Sequence, residues 1–294
     1  MESEKQAQTS STFDYKWKKR DTYESDAMQA FAKDWLKSRY QVTGRPLGEL
    51  VKGKRVLDAG CGAGHSAVLL FGDLLNQCDY WGVDISGAVD VAAQRFKERG
   101  LNGQFLQTSL TNLPDNLGNF DVIFSEGVLH HTDSTHNAVR YLTGRLNKGG
   151  LLMFYIYKVK APVREFVDDY IREKIAPLSN DAAWEALMPL TELGKILGEL
   201  NLDVEIKKPI DLLEIPAGKV NLQRLFYWYF GKLFYRPDLS LEEMNHINFD
   251  WYRPKNCHRH TEPEVRTWLK DLGLEVLTFN TEDAGMTVIA QKPN

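Results

Sequence analysis

The sequence predicts an α/β fold built on an open, mostly parallel, Rossmann-like sheet. Three observations carry that expectation. From Arg55 to Tyr157, short apolar runs with strand character alternate with helical stripes and short turns. A glycine loop, "VLDAGCGAGHS", stands where the first of these strands meets the first helix. Two final strands, "LEVLTFN" and "MTVIAQK", are joined by "TEDAG", too short a link for a parallel crossover, so they must pair antiparallel.

The chain opens on "MESEKQAQTSS", polar enough to predict a disordered tail. In "FDYKWKKRDTYES" the cations Lys16, Lys18, Lys19 and Arg20 interleave with aromatics, which reads as a solvated face with two aromatic anchors. Met28, Phe31, Ala32, Trp35 and Leu36 then recur at helical spacing. "RVLDAG" is the first strand, "HSAVLLFGDLL" is helical, and "YWGVDIS" is the second strand. In "GAVDVAAQRFKERG", Val89, Ala92, Ala93 and Phe96 share one helical face, and Gly100 supplies the C-terminal stop. "GQFLQTS" and "FDVIFSE" are the third and fourth strands. Ala138, Tyr141, Leu142 and Leu146 make the next helical stripe, and "LLMFYIY" follows the turn "NKGG" as the fifth strand. Parallel β-α-β units of this kind cross over right-handed and place helices on both faces of the sheet.

Between Lys158 and His260 the rhythm stops and the pattern is mainly helical. Leu193, Ile196, Leu197 and Leu200 form one stripe. "LQRLFYWYFGKLFY" is apolar nearly all round and therefore expected to be buried. Ser240 and Glu243 form a capping box, as do Thr261 and Glu264, after which Val265, Trp268, Leu269 and Leu272 lead to a stop at Gly273. The expected organisation is an N-terminal tail and helix over residues 1–48, a core of 49–157 and 261–294, and a helical insertion over 158–260.

The 294 residues carry a formal net charge of −4, which gives no global field for attracting nucleic acid or anionic membrane. Cys61, Cys78 and Cys257 lie far apart and contain no C-x-x-C pair, as in a reducing compartment. The N-terminus has no signal-peptide apolar region, and the longest apolar runs are far too short to span a bilayer. A cytoplasmic protein is expected.

Gly60, Gly62 and Gly64 allow a tight turn and close approach of a ligand to the backbone. The spacing departs from the dinucleotide loop G-x-G-x-x-G, because His65 stands where the third glycine belongs. Asp58 precedes the glycines, and Asp84 ends the second strand, where a carboxylate can accept from both hydroxyls of a ribose. With "VLDAGCGAG", "GVDIS", "LTNLP", "FDVIFSEGVLHH" and "LNKGGLL", the chain resembles the class I S-adenosylmethionine-dependent methyltransferases over about residues 50–157 and 261–292. The likeness is nearest to the small-molecule branch similar to the ubiquinone/menaquinone methyltransferases.

That resemblance implies a sheet order 3-2-1-4-5-7-6 with strand seven antiparallel. It implies S-adenosyl-L-methionine as cofactor, S-adenosyl-L-homocysteine as product, and no metal. Asp58, Gly60, Cys61, Gly62 and Gly64 would line its methionine and ribose part, Asp84 would take the ribose hydroxyls, and Ile85 would pack on the adenine. Ser109, followed by Leu110, stands where members usually carry an acid that meets the adenine amino group, and a hydroxyl can accept that bond instead. Glu126 and Gly127 would lie beside the methionine and the transferring methyl.

The stretch "SEGVLHHT" follows. Neighbouring histidines diverge, which argues against a shared metal. His131, ahead of His130, is a candidate general base, needed where the nucleophile arrives protonated; the alternative is a pair of polar residues bonded to the loop backbone. His136 belongs to the start of the next helix. In the insertion, "NHINFDWYRPKNCHRH" offers Asn245, His246, Trp251, Tyr252 and His258 as an acceptor pocket of aromatic walls and few polar groups; the alternative for Trp251 and Tyr252 is packing. Lys158, Lys160 and Arg164 either meet an acidic substrate or form a solvated face. The expected function is methyl transfer to oxygen or nitrogen of a small-molecule acceptor, such as a sugar or natural-product intermediate. The alternatives are an RNA or protein methyltransferase and a cofactor-binding protein without catalysis.

Overall fold

The computed structural model describes residues 3–40 and 46–294. Within them the chain forms two compact units. One comprises the residues up to Lys18, Gln29–Lys158 and Asn256–Asn294; the other comprises Lys19–Met28 and Val159–Lys255. The boundaries differ from the expected 158–260 for local reasons. Asn256 N–H donates to Thr9 Oγ1 and His258 N–H donates to the His130 carbonyl, which ties this stretch into the first unit. Thr22 Oγ1 bonds His246 Nδ1 at 2.8 Å, which ties 19–28 into the second.

The first unit is a seven-stranded sheet. Its strands are β1 (Arg55–Ala59), β2 (Asp79–Asp84), β3 (Gln104–Gln107), β4 (Phe120–Glu126), β5 (Leu146–Tyr157), β8 (Glu275–Thr281) and β9 (Gly285–Gln291). Their order is β3-β2-β1-β4-β5-β9-β8, with β1 to β5 parallel and β9 antiparallel to both β5 and β8. Because β6 (Asp203–Ile206) and β7 (Gly218–Asn221) belong to the other unit, β8 and β9 are the sixth and seventh strands of this sheet, and the expected order holds.

Alternation along each strand feeds two cores. Leu57, Val83, Ile123, Leu152 and Val288 join Val139 and Leu142 of helix α6 (Thr135–Gly144) and Val265 and Leu269 of helix α11 (Glu262–Asp271). Val56, Tyr80, Phe124, Met153 and Ile289 join Leu36 and Tyr40 of α2 (Asp26–Tyr40), Ala67 and Phe71 of α4 (His65–Phe71) and Phe96 of α5 (Ala88–Glu98). Each fully buried aliphatic side chain contributes about 1.5–3 kcal/mol, so the two faces together fix the register that brings the strand ends level.

The polar N-terminus is not a disordered tail. Residues Glu4–Lys18 form helix α1, whose buried residues are Thr9, Thr12 and Lys16; Met1 and Glu2, the first residues of the expected tail, lie outside the described residues. A short helix, α3 (Leu47–Val51), precedes β1.

The second unit contains helices α7 (Pro162–Ile175), α8 (Asn180–Glu199), α9 (Leu222–Tyr229) and α10 (Leu241–Tyr252), and an antiparallel hairpin of β6 (Asp203–Ile206) and β7 (Gly218–Asn221). The apolar stripe of α8 faces outward: Leu193, Ile196 and Leu200 are exposed. The helix packs through Thr191, Gly194 and Gly198 instead, since a Cβ on Gly194 would stand 3.0 Å from the Leu233 carbonyl oxygen and one on Gly198 would overlap the Tyr235 ring. Helix α9 is shorter than its apolar run and mostly half-buried. No helix among the described residues is long and apolar enough to cross a membrane.

Candidate functional site

The parallel strands β1 to β5 end at the same edge, and the cofactor-binding candidates and the histidines after β4 lie along it. After β1 the chain turns through Gly60, Gly62 and Gly64, with φ of 86°, 49° and 69°. These are left-handed values that favour glycine. Gly60 and Cys61 N–H both donate to the Val83 carbonyl, which fastens the loop to the end of β2, and the Cys61 side chain is buried.

Asp84 closes β2. Its Oδ2 accepts from Gly62 N–H at 2.9 Å, and its Oδ1 accepts from Ser86 N–H and Ser86 Oγ at 2.8 and 2.6 Å. Burial raises its pKa, against the pull of those donors. A carboxylate offers about four acceptor positions, so one remains after these three bonds. Asp58 is buried one strand away and accepts from Tyr80 Oη at 2.7 Å. Burial pushes its pKa up to about 7, with the Tyr80 hydroxyl opposing and the nearby Asp84 charge adding.

Ile85 follows Asp84, and its carbonyl accepts from Ser10 Oγ and Gln107 Nε2. Ser109 lies just beyond β3, at the neighbouring strand end, where its hydroxyl bonds Thr111 Oγ1 at 3.0 Å; Leu110 turns into the core.

The end of β4 departs from expectation in one respect. The Glu126 carboxylate is engaged on both oxygens, by Arg39 Nη1 and by Tyr40 Oη, each at 2.5 Å. The Arg39 guanidinium lies between the Trp35 and Tyr155 rings, 3.6 and 3.3 Å from their centroids. Burial raises the Glu126 pKa, and the Arg39 charge opposes it. Glu126 therefore anchors α2 to the sheet edge with its side chain and faces the site only through its backbone and Gly127, whose φ is 71°.

The histidines occupy the turn after β4. His130 is fully buried, its ring 3.7 Å from that of Tyr157. His131 is nearly buried, and its Nδ1 lies 2.6 Å from the Asn256 carbonyl oxygen. A carbonyl can only accept, so Nδ1 carries a proton, and Nε2 is the ring nitrogen that can exchange one. His258 Nε2 lies 3.0 Å from the Thr132 carbonyl oxygen, and burial lowers its pKa. His136 does belong to the start of α6, and its ring stacks on Trp268.

The remaining acceptor candidates lie inside the second unit as packing residues. Asn245 donates to the Trp184 carbonyl and accepts from Thr191 Oγ1. His246 bonds Thr22. Trp251 Nε1 and Tyr252 Oη both donate to Asp168, which also receives Arg164 Nε and Lys232 N–H. Asn245 thus joins α10 to α8, Trp251 and Tyr252 join it to α7, and His246 joins it to Thr22, so for Trp251 and Tyr252 the packing alternative is what these contacts describe. Of Lys158, Lys160 and Arg164, Arg164 is buried and paired to Asp168 rather than solvated.

Sequence reasoning missed α1 altogether. Trp17 covers the glycine loop: a Cβ on Gly62 would stand 2.6 Å from Trp17 Nε1. Asp14 Oδ1 would stand 2.7 Å from a Cβ on Gly87, just after Asp84. Phe13 meets the His131 ring edge-on at 5.0 Å. The available signal was the pair Phe13 and Trp17, spaced i, i+4.

A nucleoside-binding edge on a sheet with a reversed last strand defines a class, the Rossmann-like methyltransferases of class I, which use S-adenosylmethionine. The comparisons with known proteins agree. A family model described as a methyltransferase domain matches residues 56–150. The uncharacterized methyltransferase YcgJ of Bacillus subtilis is 32% identical over 178 residues, covering 56% of this chain and 67% of its own. An uncharacterized protein of Synechococcus is 36% identical over 237 residues, 78% of this chain, but the chain spans only 49% of that relative's length. A tRNA U34 carboxymethyltransferase of Pseudomonas savastanoi is 35% identical over 124 residues, 39% of this chain and 36% of its own. Among solved structures, magnesium protoporphyrin IX methyltransferase from Synechocystis with bound S-adenosylmethionine shares the fold at a TM-score of 0.53 and 14% identity, covering 99% and 98% of the two chains. The chain belongs to the S-adenosylmethionine-dependent methyltransferase family.

Proposed function

We propose that this chain transfers a methyl group to an oxygen or nitrogen of a small-molecule acceptor, such as a sugar or natural-product intermediate. One observation carries the reading: the turn with His131 stands at the same strand edge as the glycine loop and Asp84. Asp84 keeps one acceptor position for a ribose hydroxyl, Gly60, Gly62 and Gly64 present main chain without side chains, and Ile85 and Ser109 flank the adenine position. When bound, S-adenosylmethionine supplies a methyl on a sulfonium, already an excellent leaving group. The protein therefore mainly has to align nucleophile, methyl and sulfur and exclude water.

His131 is the proposed base. Its Nδ1–H, held by the Asn256 carbonyl, fixes the ring, and Nε2 can take the proton that a hydroxyl or ammonium nucleophile must lose. His130 supports it through the stack on Tyr157. Of the five residues expected at the acceptor, His258 stays in this reading, since it joins the same turn. The other four frame the second unit.

The partial likeness to tRNA U34 carboxymethyltransferases favours a second reading, transfer to RNA, and it covers 39% of this chain. The net charge of −4 works against an RNA surface. Formation of S-adenosylhomocysteine from a metabolite panel, and from bulk tRNA, separates them. Turnover with tRNA alone would overturn the small-molecule reading. His131→Ala should cut turnover while leaving S-adenosylmethionine affinity nearly unchanged. Equal turnover by both proteins would remove His131 from the mechanism.

A further inference from the structure

Helix α1 is put together the wrong way round for a helix that only packs. A surface helix normally turns an apolar stripe inward. Here Thr9, Thr12 and Lys16, at i, i+3 and i+7, are the buried residues, at most 5% exposed. Few side chains of the helix are apolar, and Phe13 and Trp17 flank the polar stripe.

The helix runs along the whole cofactor edge. Ser10 Oγ donates to the Ile85 carbonyl, Asp14 reaches Gly87, and Trp17 lies on Gly62. Gln6 Nε2 donates to the His131 carbonyl, and Phe13 meets the His131 ring. One helix thus touches the adenine end, the glycine loop and the turn of the proposed base. The Lys16 ammonium sits 4.0 Å from the Trp17 ring centroid and 5.5 Å from that of Phe13, so the chain's own cation fixes the two rings relative to each other.

We propose that α1 is the outer wall of the cofactor site, and that Trp17 and Phe13 are cofactor-binding residues which close over S-adenosylmethionine and keep water from the transferring methyl. The inference rests on S-adenosylmethionine occupying the strand edge described above. With so little apolar anchorage, α1 depends on what it covers, and it must release the edge for product to leave. Exchange of the cofactor and opening of α1 are then one event.

Hydrogen exchange of the full chain tests this. At saturating S-adenosylhomocysteine, amides of residues 4–18 should exchange at least about tenfold more slowly than without it, because opening is suppressed by bound ligand. Calorimetry with the same probe gives the second readout. Trp17→Ala should weaken binding at least about tenfold, equivalent to about 1.4 kcal/mol, and Trp17→Phe should restore most of it. Unchanged exchange in α1, or faster exchange as expected of a plug that the ligand expels, would overturn the proposal. So would a folded Trp17→Ala protein that binds as tightly as the native one. If the native chain bound no S-adenosylhomocysteine, the cofactor assignment would fall first, and the proposal with it.

Discussion

Replacing Asp58 with asparagine isolates one buried ionisation at the heart of the cofactor edge. The carboxyl ordinarily titrates at 3.8; in the fold, burial raises it to about 7, despite the hydrogen bond from Tyr80. The unfolded chain therefore releases this proton near the lower value and the folded chain only near the upper one. As pH rises through that window the unfolded state is progressively favoured, so this group weakens the fold from about pH 4 upward and levels off above about pH 7. Over that interval the effect is on the order of 4 kcal/mol, of which roughly half or more falls between pH 5 and pH 8. Asparagine keeps the shape and an acceptor for Tyr80 but cannot ionise. Urea unfolding of both proteins at pH 5 and pH 8 reads the difference directly. Asp58→Asn should gain roughly 2–3 kcal/mol over the native chain on going from pH 5 to pH 8. A difference constant to within about 0.5 kcal/mol would show that Asp58 titrates normally and that the burial argument is wrong.

Other perturbations probe the rest of the scaffold. Gly60→Ala places a Cβ at φ 86° and into the Val128 side chain, so thermal unfolding should show a loss of about 1–3 kcal/mol or more, with S-adenosylmethionine binding lost in parallel. Glu126→Ala leaves the buried Arg39 charge only the part-exposed Glu282 carboxylate, 3.8 Å away, and should destabilise by about 3–5 kcal/mol, whereas Arg39→Met combined with Glu126→Leu should recover most of that in chemical denaturation. Asp168→Ala removes the shared acceptor of Arg164, Trp251, Tyr252 and Lys232 N–H; it should cost about 3–5 kcal/mol and loosen amide protection first in α7 and α10. Uniform loss of protection across both units would refute that localisation.

Much of the fold was legible because its signals are local. Strand and helix periodicities between Arg55 and Tyr157, the short "TEDAG" link and the handedness of crossovers leave few sheet orders, and the observed one was among them. The glycine loop and Asp84 were readable for the same reason: a left-handed turn and a strand-end acid are chosen by the nearby backbone.

What the sequence by itself determined, then, is the sheet, its reversed last strand and the edge where a nucleoside sits. Tertiary structure alone decided which polar residues face that edge. Glu126 is spent on Arg39 and Tyr40, Asn245 on Trp184 and Thr191, and Trp251 and Tyr252 on Asp168, partners 54 to 87 residues away with no local trace in the chain. Helix α1 is the clearest case. Its polar composition reads as disorder, because hydrophobic periodicity reports burial of apolar side chains, whereas the buried residues here are Thr9, Thr12 and Lys16, and Thr9 accepts from Asn256 N–H, 247 residues away.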